Sequence, residues 1–240
     1  MSSRKIGIMG GTFNPIHYAH LLLAESAREQ YGLDRVIFIP TGIPYMKDTT
    51  NLPSGELRYQ LVKIAIRDNP YFTCSRLEID RPGNTYTADT LRELHKMYPG
   101  DHLYFIMGAD SVMDLEKWHK VEDVFNSTTI LAAVRHKVDV SQLEERRKEL
   151  AEKFQADIEL LEYGRMDVSS TVIRDRISKG LSVRYLLPED CIEFIRTKSF
   201  YTEKPSQDDM PSRVYVPEKN RRKKTMPVVL PEDDDDMTVV

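Results

Sequence analysis

Residues 9–20 of the chain read MGGTFNPIHYAH and continue an apolar run, KIGI, at residues 5–8. An uninterrupted apolar run of this kind predicts a strand that is buried on both faces of a sheet. The segment HLLLAESAREQYG at residues 20–32 then predicts a helix, and Gly32 is a suitable residue at which it ends. A strand, a glycine turn and a helix in this order predict the first βα unit of an open α/β sheet.

The alternation of strand and helix continues along the chain. Further strands are predicted at RVIFIP (35–40), YFTCSRLEID (71–80), HLYFIMG (102–108), TTILAAVR (128–135) and DIELLEY (157–163). The segments between them carry helix patterns, and Ser54 and Thr87 are the predicted N-caps of two of these helices. Repeated βα alternation with buried strands predicts an α/β fold, a Rossmann-like doubly wound parallel sheet with helices on both faces.

Composition and charge narrow the class of protein. The chain has 240 residues, 40% of them apolar, and a net charge of −4. A mildly negative net charge argues against a protein that binds nucleic acid through a large basic surface. Its two cysteines, Cys74 and Cys191, are too few for a disulfide framework or a cysteine-built metal site. The N-terminus lacks the apolar core of a signal peptide, and no stretch approaches the roughly 20 apolar residues of a membrane span. We therefore expect a cytoplasmic protein without membrane or nucleic-acid partners.

The character of the sequence changes near Glu203. The segment from there to the C-terminus contains several prolines, the basic run NRRKK and the acidic run EDDDD, without helical or alternating periodicity. We expect one domain at residues 1–202 and a disordered, low-complexity charged tail at residues 203–240. The alternative is that the two charge runs pair with each other or dock a partner.

The opening stretch has the chemistry of a polyphosphate site. Gly10 and Gly11 allow a tight turn and a close approach of a ligand to the main chain, and the next residues, Thr12 and Phe13, offer N–H groups. Two histidines, at positions 17 and 20, lie one helical turn apart at a helix N-terminus, where an anion is favoured. The alternatives are a plain turn or a metal-binding histidine pair, although a zinc site normally needs a third protein ligand. A P-loop is excluded, because neither GKS nor GKT follows the glycines.

A second candidate anion site lies at VSSTVIR, residues 168–174. Ser169, Ser170 and Thr171 are candidate N-caps at a helix start. Arg174 falls one turn later and can form a forked pair of hydrogen bonds with phosphate oxygens. A capped helix with a surface arginine is the alternative. We expect the two anion sites at opposite ends of one sheet, and we expect both to converge on a single triphosphate.

Four segments, taken in order, resemble a known enzyme family. They are GGTFNPIHYAH (10–20), EIDRPGNTYTADTL (78–91), GADSVMDLEKW (108–118) and VSSTVIR (168–174). This combination is similar to the bacterial nicotinate-nucleotide adenylyltransferases, which are nucleotidylyltransferases of the HxGH superfamily. The resemblance covers residues 4–200. It implies adenylyl transfer from ATP to nicotinate mononucleotide, with deamido-NAD and pyrophosphate as products, in NAD biosynthesis.

The resemblance also implies roles for individual residues on the ATP side. His17, His20 and Arg174 would be catalytic, because they would neutralise charge on the triphosphate in the transition state. The residues implied to bind ATP are Gly10, Gly11, Thr12, Phe13, Gly108, Asp110, Ser170 and Thr171. Mg²⁺ would arrive with ATP, mostly coordinated by water and phosphate, with no metal site built from the protein alone.

On the mononucleotide side the resemblance implies that Trp118 stacks on the pyridine ring. Backbone amides near Thr85 and Tyr86 would bind the pyridine carboxylate, and Lys47 and Arg135 would meet the phosphate. Core packing is the alternative role for Trp118, and a surface position at a strand end is the alternative for Arg135. The family usually shows P-P-H-K after the second strand, whereas this chain has PYMK at residues 44–47.

Three other functions remain open from the sequence. The first is a sister nucleotidylyltransferase that uses nicotinamide mononucleotide or pantetheine phosphate as acceptor. The second is a nucleotide-binding regulatory module without turnover, and the third is a metal hydrolase. A homo-oligomer also remains open, because nothing in the sequence reports the oligomeric state.

Overall fold

The computed structural model of the chain describes residues 3–43, 52–134, 140–164 and 166–202. Within these ranges the strands are β1 Lys5–Gly11, β2 Arg35–Pro40, β3 Phe72–Cys74, β4 His102–Gly108, β5 Thr129–Ala133 and β6 Ile158–Leu161. The helices are α1 Tyr18–Tyr31, α2 Gly55–Ile66, α3 Thr87–Met97, α4 Ala109–Met113, α5 Val121–Ser127, α6 Val140–Phe154, α7 Ser170–Ser178 and α8 Glu189–Thr197. A single 3₁₀ turn, Leu115–Lys117, links α4 to α5.

The strands form one parallel sheet in the order β3–β2–β1–β4–β5–β6. β1 lies in the centre, where Ile8 is in register with Ile37 of β2 on one side and with Phe105 of β4 on the other. The side on which strands are added reverses at this point, since β2 and β3 lie on one side of β1 and the later strands β4, β5 and β6 lie on the other. The predicted Rossmann-like, doubly wound parallel sheet is confirmed.

Two apolar clusters cover the two faces of the sheet. Ile8 and Ile37 belong to the cluster that packs beneath α3, α4, α5 and α6. Met9 and Phe38, the next residues along the same strands, belong to the cluster beneath α1, α2, α7 and α8. Side chains of a strand alternate between faces, and each fully buried side chain of this size contributes about 1.5–3 kcal/mol. The continuous apolar runs of the sequence are therefore explained by helices on both faces.

A glycine near the start of β1 lets the end of the first helix approach the sheet. A Cβ on Gly7 would lie 2.9 Å from the Leu33 side chain and 3.1 Å from that of Val36. α1 ends at Gly32, which adopts the left-handed conformation with φ 61° and donates its N–H to the Arg28 carbonyl. The predicted end of this helix is confirmed, and glycine avoids the steric cost of that conformation.

Two local predictions need correction and one is confirmed. The strand predicted at residues 71–80 is only Phe72–Cys74, because the chain turns just beyond, where the Asp80 N–H donates to the Arg76 carbonyl. Thr87 was predicted as the N-cap of α3, but it is the first helical residue and Tyr86 is the cap. The predicted cap Ser54 is confirmed, since its hydroxyl accepts the N–H of Leu57.

Both cysteines are free and at least partly buried. Cys191 lies in the core, with its thiol 3.6 Å from the Leu61 carbonyl, and Cys74 ends β3. Burial raises the pKa of each thiol to about 12. Among the described residues, no helix is long and apolar enough to cross a bilayer. The tail predicted at residues 203–240 lies outside the described residues.

Candidate active site

The candidate site opens where the central strands β1 and β4 end side by side. The chain leaves β1 toward α1 on one face and leaves β4 toward α4 on the other. This divergence creates a crevice at the carboxyl ends of the strands, where ligands of open α/β folds bind. A cavity of about 780 Å³ occupies the crevice, a volume suited to a small-molecule ligand. Its lining includes these residues predicted from sequence: Gly10, Gly11, Thr12, His20, Thr85, Tyr86, Gly108, Asp110 and Trp118.

The two glycines predicted to form a turn, Gly10 and Gly11, are instead the last residues of β1, and they present main chain to the cavity. The carbonyl of Gly11 accepts the N–H of Thr41 at 2.9 Å, which joins the loops that follow β1 and β2. Phe13 has a positive φ of 47°, and its ring is 2% exposed. A Cβ at Gly11 would lie only 3.3 Å from that ring. The end of β1 therefore packs against the buried Phe13 ring, and Gly10, Gly11 and Thr12 line the cavity.

The two histidines form a stacked pair at the start of α1. Their ring centroids are 3.7 Å apart, with an angle of 28° between the planes. His20 lines the cavity, and its Nδ1 accepts the backbone N–H of His17 at 3.3 Å. His17 is the N-cap of α1 and is 3% exposed. The shared face predicted from their spacing is confirmed, with His20 on the cavity side.

The second predicted anion site touches the first. The Ser170 hydroxyl donates to the Pro15 carbonyl at 2.8 Å, and Arg174 donates from Nη1 to the Asn14 carbonyl at 2.9 Å. Arg174 also donates to the hydroxyl of Thr171 at 3.3 Å. The two segments meet as expected, whereas the expectation that they lie at opposite ends of the sheet is wrong. The reason is that α7 packs on the same apolar cluster as α1, which brings its N-terminus to the loop after β1.

Beyond β4 the chain bends at Gly108 into the short helix α4. Gly108 is the N-cap residue of this helix, with extended backbone angles, and Asp110 is in its first turn. Both residues line the cavity, and Asp110 is exposed. A carboxylate in this position can accept hydrogen bonds from ligand hydroxyl groups.

Aromatic side chains line the part of the cavity between α3 and the 3₁₀ turn. Trp118 is half-buried, and its ring meets Phe105 edge-on with centroids 6.2 Å apart. Tyr86 and His119 lie ring against ring at 4.3 Å. Thr85 is buried, and its hydroxyl donates to the Ile43 carbonyl at 3.4 Å. Trp118 therefore both packs on the core and faces the cavity, so the two roles considered for it are compatible.

The structure adds three residues that sequence reasoning missed. Arg58 is 1% exposed and donates to carbonyl groups of the loops after β1 and β2. Glu78 lines the cavity, accepts the hydroxyl of Thr90 at 2.8 Å, and has a pKa that burial raises. His119 lies beside Trp118. A signal existed for Arg58, since it occupies the same helical stripe as the apolar residue Leu61.

Two predicted site residues, Lys47 and Arg135, lie outside the described residues. Among the described residues, no group of three or more histidine, cysteine, aspartate or glutamate side chains is placed to hold a metal ion.

Comparison with known proteins supports one family. The family model described as cytidylyltransferase-like matches residues 8–176. The chain is 49% identical over 198 residues to a Lachnoclostridium phytofermentans protein named "Probable nicotinate-nucleotide adenylyltransferase", covering 82% of this chain and 99% of that protein. A Desulfitobacterium hafniense protein of the same name is 42% identical, with 82% and 96% covered.

Among solved structures, the fold is similar to the Plasmodium falciparum nicotinic acid mononucleotide adenylyltransferase complexed with NaAD. The TM-score is 0.69 at 20% identity, with 82% of this chain and 97% of that chain covered. A second structure of that protein, complexed with APC, gives a TM-score of 0.67 at 19% identity, with 82% and 97% covered. At these identities the likeness establishes the shared fold.

Proposed function

The chain belongs to the nicotinate-nucleotide adenylyltransferase family, and we propose that the cavity between β1 and β4 is where it carries out its reaction. The enzyme transfers the adenylyl group of ATP to nicotinate mononucleotide. A phosphate oxygen of the mononucleotide forms a bond to the α-phosphorus of ATP, and the bond from that phosphorus to the bridging oxygen of the β-phosphate breaks. The products are deamido-NAD and pyrophosphate.

This chemistry explains why the site is built from N–H donors and cations. The attacking phosphate is already an anion, so no side chain has to remove a proton from it. The protein must instead hold the two anions in line and stabilise charge on the departing pyrophosphate. Backbone N–H groups, imidazoles and a guanidinium supply that stabilisation.

We assign the ATP phosphates to the end of β1 and the start of α7. Backbone at Gly10, Gly11, Thr12 and Phe13 forms one side, while Ser170, Thr171 and Arg174 form the other. The single observation that carries this assignment is that α7 is bonded directly to the loop after β1. Two segments with anion-binding chemistry, separated by about 150 positions in the chain, therefore act at one place.

His20 is placed to donate a hydrogen bond into the cavity. Because its Nδ1 accepts the backbone N–H of His17, the neutral ring carries its proton on Nε2. In the proposed complex that N–H donates to a phosphate oxygen at the helix N-terminus. His17 supports His20 through the stacked rings and completes the catalytic pair. The His20 hydrogen bond, supported by His17, would stabilise the triphosphate as negative charge builds up on it.

The adenosine and pyridine parts are assigned by what lines the rest of the cavity. Gly108 and Asp110 receive the adenosine, with the carboxylate accepting from ribose hydroxyl groups. Trp118 provides an aromatic face for the pyridine ring, and backbone near Thr85 and Tyr86 receives its carboxylate. Lys47 and Arg135 are proposed to meet the mononucleotide phosphate, on the family resemblance alone.

Magnesium enters this proposal as part of the substrate. We propose that Mg²⁺ is bound by the ATP phosphates and by water, as is usual for this ion. A cytoplasmic location, a homo-oligomer and the domain boundary near residue 203 remain predictions from the sequence.

The decisive experiment incubates the purified chain with ATP and Mg²⁺ together with either nicotinate or nicotinamide mononucleotide, and quantifies pyrophosphate. We expect rapid release with the acid and much slower release with the amide. No release with either would contradict the proposed reaction and favour a nucleotide-binding regulatory module. Faster release with the amide would place the chain with the sister transferases.

A further inference from the structure

We propose that Arg58, which lies outside the substrate-binding residues assigned above, is a positioning residue that sets the alignment of the two substrates. The proposal rests on the proposed function and concerns how the two halves of that site are joined.

The Arg58 guanidinium is buried among main-chain carbonyl groups. Its Nε donates to Pro53 at 3.0 Å, and Nη1 donates to Thr12 at 2.8 Å. Nη2 donates to Thr41 at 2.6 Å and to Gly42 at 2.9 Å. The side chain is 1% exposed, and burial lowers the pKa of its guanidinium. A buried charge of this kind is retained only where its hydrogen bonds are well satisfied, as they are here.

Two of the bonded segments belong to different parts of the site. Thr12 belongs to the strand end that is assigned to the ATP phosphates. Thr41 and Gly42 follow β2 and pack against the segment that carries Glu78 and Thr85, since a Cβ on Gly42 would lie 2.2 Å from the Glu78 carbonyl oxygen. That segment is assigned to the mononucleotide. One guanidinium therefore connects the main chain of the ATP side to that of the mononucleotide side.

Two further interactions join the residues that follow β2 to the segment that carries Thr85. Ile43 forms an isolated parallel bridge with Asn84, and the Thr85 hydroxyl donates to the Ile43 carbonyl. A displacement of residues 41–43 would therefore move the segment that carries Thr85 relative to Thr12. For a reaction that depends on in-line positioning, a shift of about 1 Å can reduce the rate by about 100-fold.

Lysine cannot replace this arginine in the arrangement. The four bonds use the Nε, Nη1 and Nη2 donors of a planar fork, whereas a lysine ammonium offers donors from a single nitrogen. Arg58→Lys thus keeps the buried charge but cannot reach the same carbonyl groups together. Arg58→Met removes the charge as well. Arg67→Lys, at the exposed C-terminal end of the same helix, is the matched control.

The test separates alignment from binding and from folding. Thermal unfolding by circular dichroism reports the folded fraction of each variant. Fluorescence of Trp118, the one tryptophan of the chain, reports the affinity for nicotinate mononucleotide alone and for Mg²⁺-ATP alone. Pyrophosphate release at saturating substrates gives kcat.

For folded Arg58→Lys we expect each affinity to change by less than about threefold and kcat to fall by about 10- to 100-fold. Arg67→Lys should match the parent enzyme in all three measurements. Unchanged kcat in Arg58→Lys would overturn the proposal, as would a loss of kcat that equals the loss of folded protein. Weakened affinities at unchanged kcat would assign the residue to binding and would also overturn it.

If Arg58→Met does not fold, Arg58→Lys carries the test. If Arg58→Lys is also unfolded at the assay temperature, the role of the residue is structural and the proposal is wrong. The parent enzyme's own turnover tests the proposed function independently, so the two failures are distinguishable.

Discussion

The hydroxyl of Ser170 donates a 2.8 Å hydrogen bond to the carbonyl of Pro15, although 155 positions separate the two residues in the chain. The bond fixes the first residue of α7 against the loop that follows β1. Arg174 strengthens the same contact through the Asn14 carbonyl. The N-terminus of α7 and the start of α1 are therefore held as one unit, so that their N–H groups and cations can act on the same phosphate chain.

The first prediction concerns Arg174. In Arg174→Lys the planar fork is lost, so the side chain cannot bond Asn14, Thr171 and a phosphate oxygen in the present geometry. We expect kcat to fall by about 10- to 100-fold, with a smaller rise in KM for ATP. Steady-state kinetics measure both. Arg176→Lys, two residues along the same helix, should show neither effect, and parent-like kinetics for Arg174→Lys would remove Arg174 from the mechanism.

The second prediction concerns the histidine pair. His17→Ala and His20→Ala should each lower kcat by about 100- to 1000-fold, because each removes part of the stabilisation of the leaving pyrophosphate. The fold should persist, as judged by circular dichroism and thermal unfolding. His102→Ala serves as the control, because His102 begins β4 and lies at the amino-terminal end of the strands, away from the cavity. A kcat near that of the parent enzyme in either variant would show that the missing ring takes no part in catalysis.

The third prediction concerns Trp118. Trp118→Ala should raise KM for nicotinate mononucleotide at least about tenfold while changing KM for ATP little, since a base-sized ring stacked on an aromatic side chain gains about 1–3 kcal/mol. Trp118→Phe keeps an aromatic face and the packing on Phe105. It should therefore restore much of the loss. Equal effects on the two KM values would indicate that the tryptophan is mainly a core residue.

The fourth prediction concerns an ion-pair cluster beside the 3₁₀ turn. Glu116 accepts hydrogen bonds from Lys153 and Arg146 of α6, which lower the pKa of its carboxyl from 4.5 to about 2. Because the folded state prefers the ionised carboxyl, the cluster stabilises the protein above pH 4.5. That stabilisation should disappear as the pH falls toward about 2.

Urea unfolding of the parent enzyme and of Glu116→Gln measures this stabilisation. The difference in unfolding free energy should be greatest near pH 7 and should shrink as the pH is lowered from 5 to 3. Glu122→Gln, on the exposed first turn of α5, should differ little from the parent at any of these pH values. A difference that grows in acid would contradict the direction of the pKa change.

The fifth prediction concerns the end of the described chain. The hydroxyl of Tyr201 donates to Asn14 at 2.7 Å, in the loop that α7 also contacts, and burial raises the pKa of this phenol. A chain truncated after Tyr201 should keep its activity and stability, since the composition beyond it predicts a disordered tail. Truncation after Lys198 removes the contact and should reduce both properties. Loss of activity in the chain truncated after Tyr201 would show that the segment beyond it contributes to the enzyme.

The sequence predicted most of what local pattern can determine. Apolar runs without alternation indicated buried parallel strands, and the predicted stop at Gly32 and the cap at Ser54 are confirmed. The end of β3 was not predictable, because the apolar pattern continues beyond Cys74 although the chain turns away from the sheet. The sequence pattern identifies a helix or strand more reliably than it identifies the residue at which tertiary contacts end that helix or strand.

The site residues could be predicted where the type of side chain and its spacing along the chain indicate what it binds. The glycine pair at the end of β1, the histidine pair and the SSTVIR segment fall in this class. Arg58 was missed because its place in the apolar stripe of α2 indicates only burial, while its four acceptors are main-chain carbonyl groups that residue identity does not reveal. The meeting of α7 with the loop after β1 was expected from their shared anion-binding chemistry. Their placement at opposite ends of the sheet was wrong, because it depends on which face of the sheet α7 covers.

The depth at which the two cysteines lie has a practical use. With a pKa of about 12 each, Cys74 and Cys191 hold almost no thiolate near neutral pH, and thiolate is the form that alkylating reagents attack. A cysteine introduced at an exposed position, such as that of Tyr185, would then react far faster than either native one. A fluorophore or spin label could be attached there selectively, and its spectrum followed during turnover, with the native cysteines left in place.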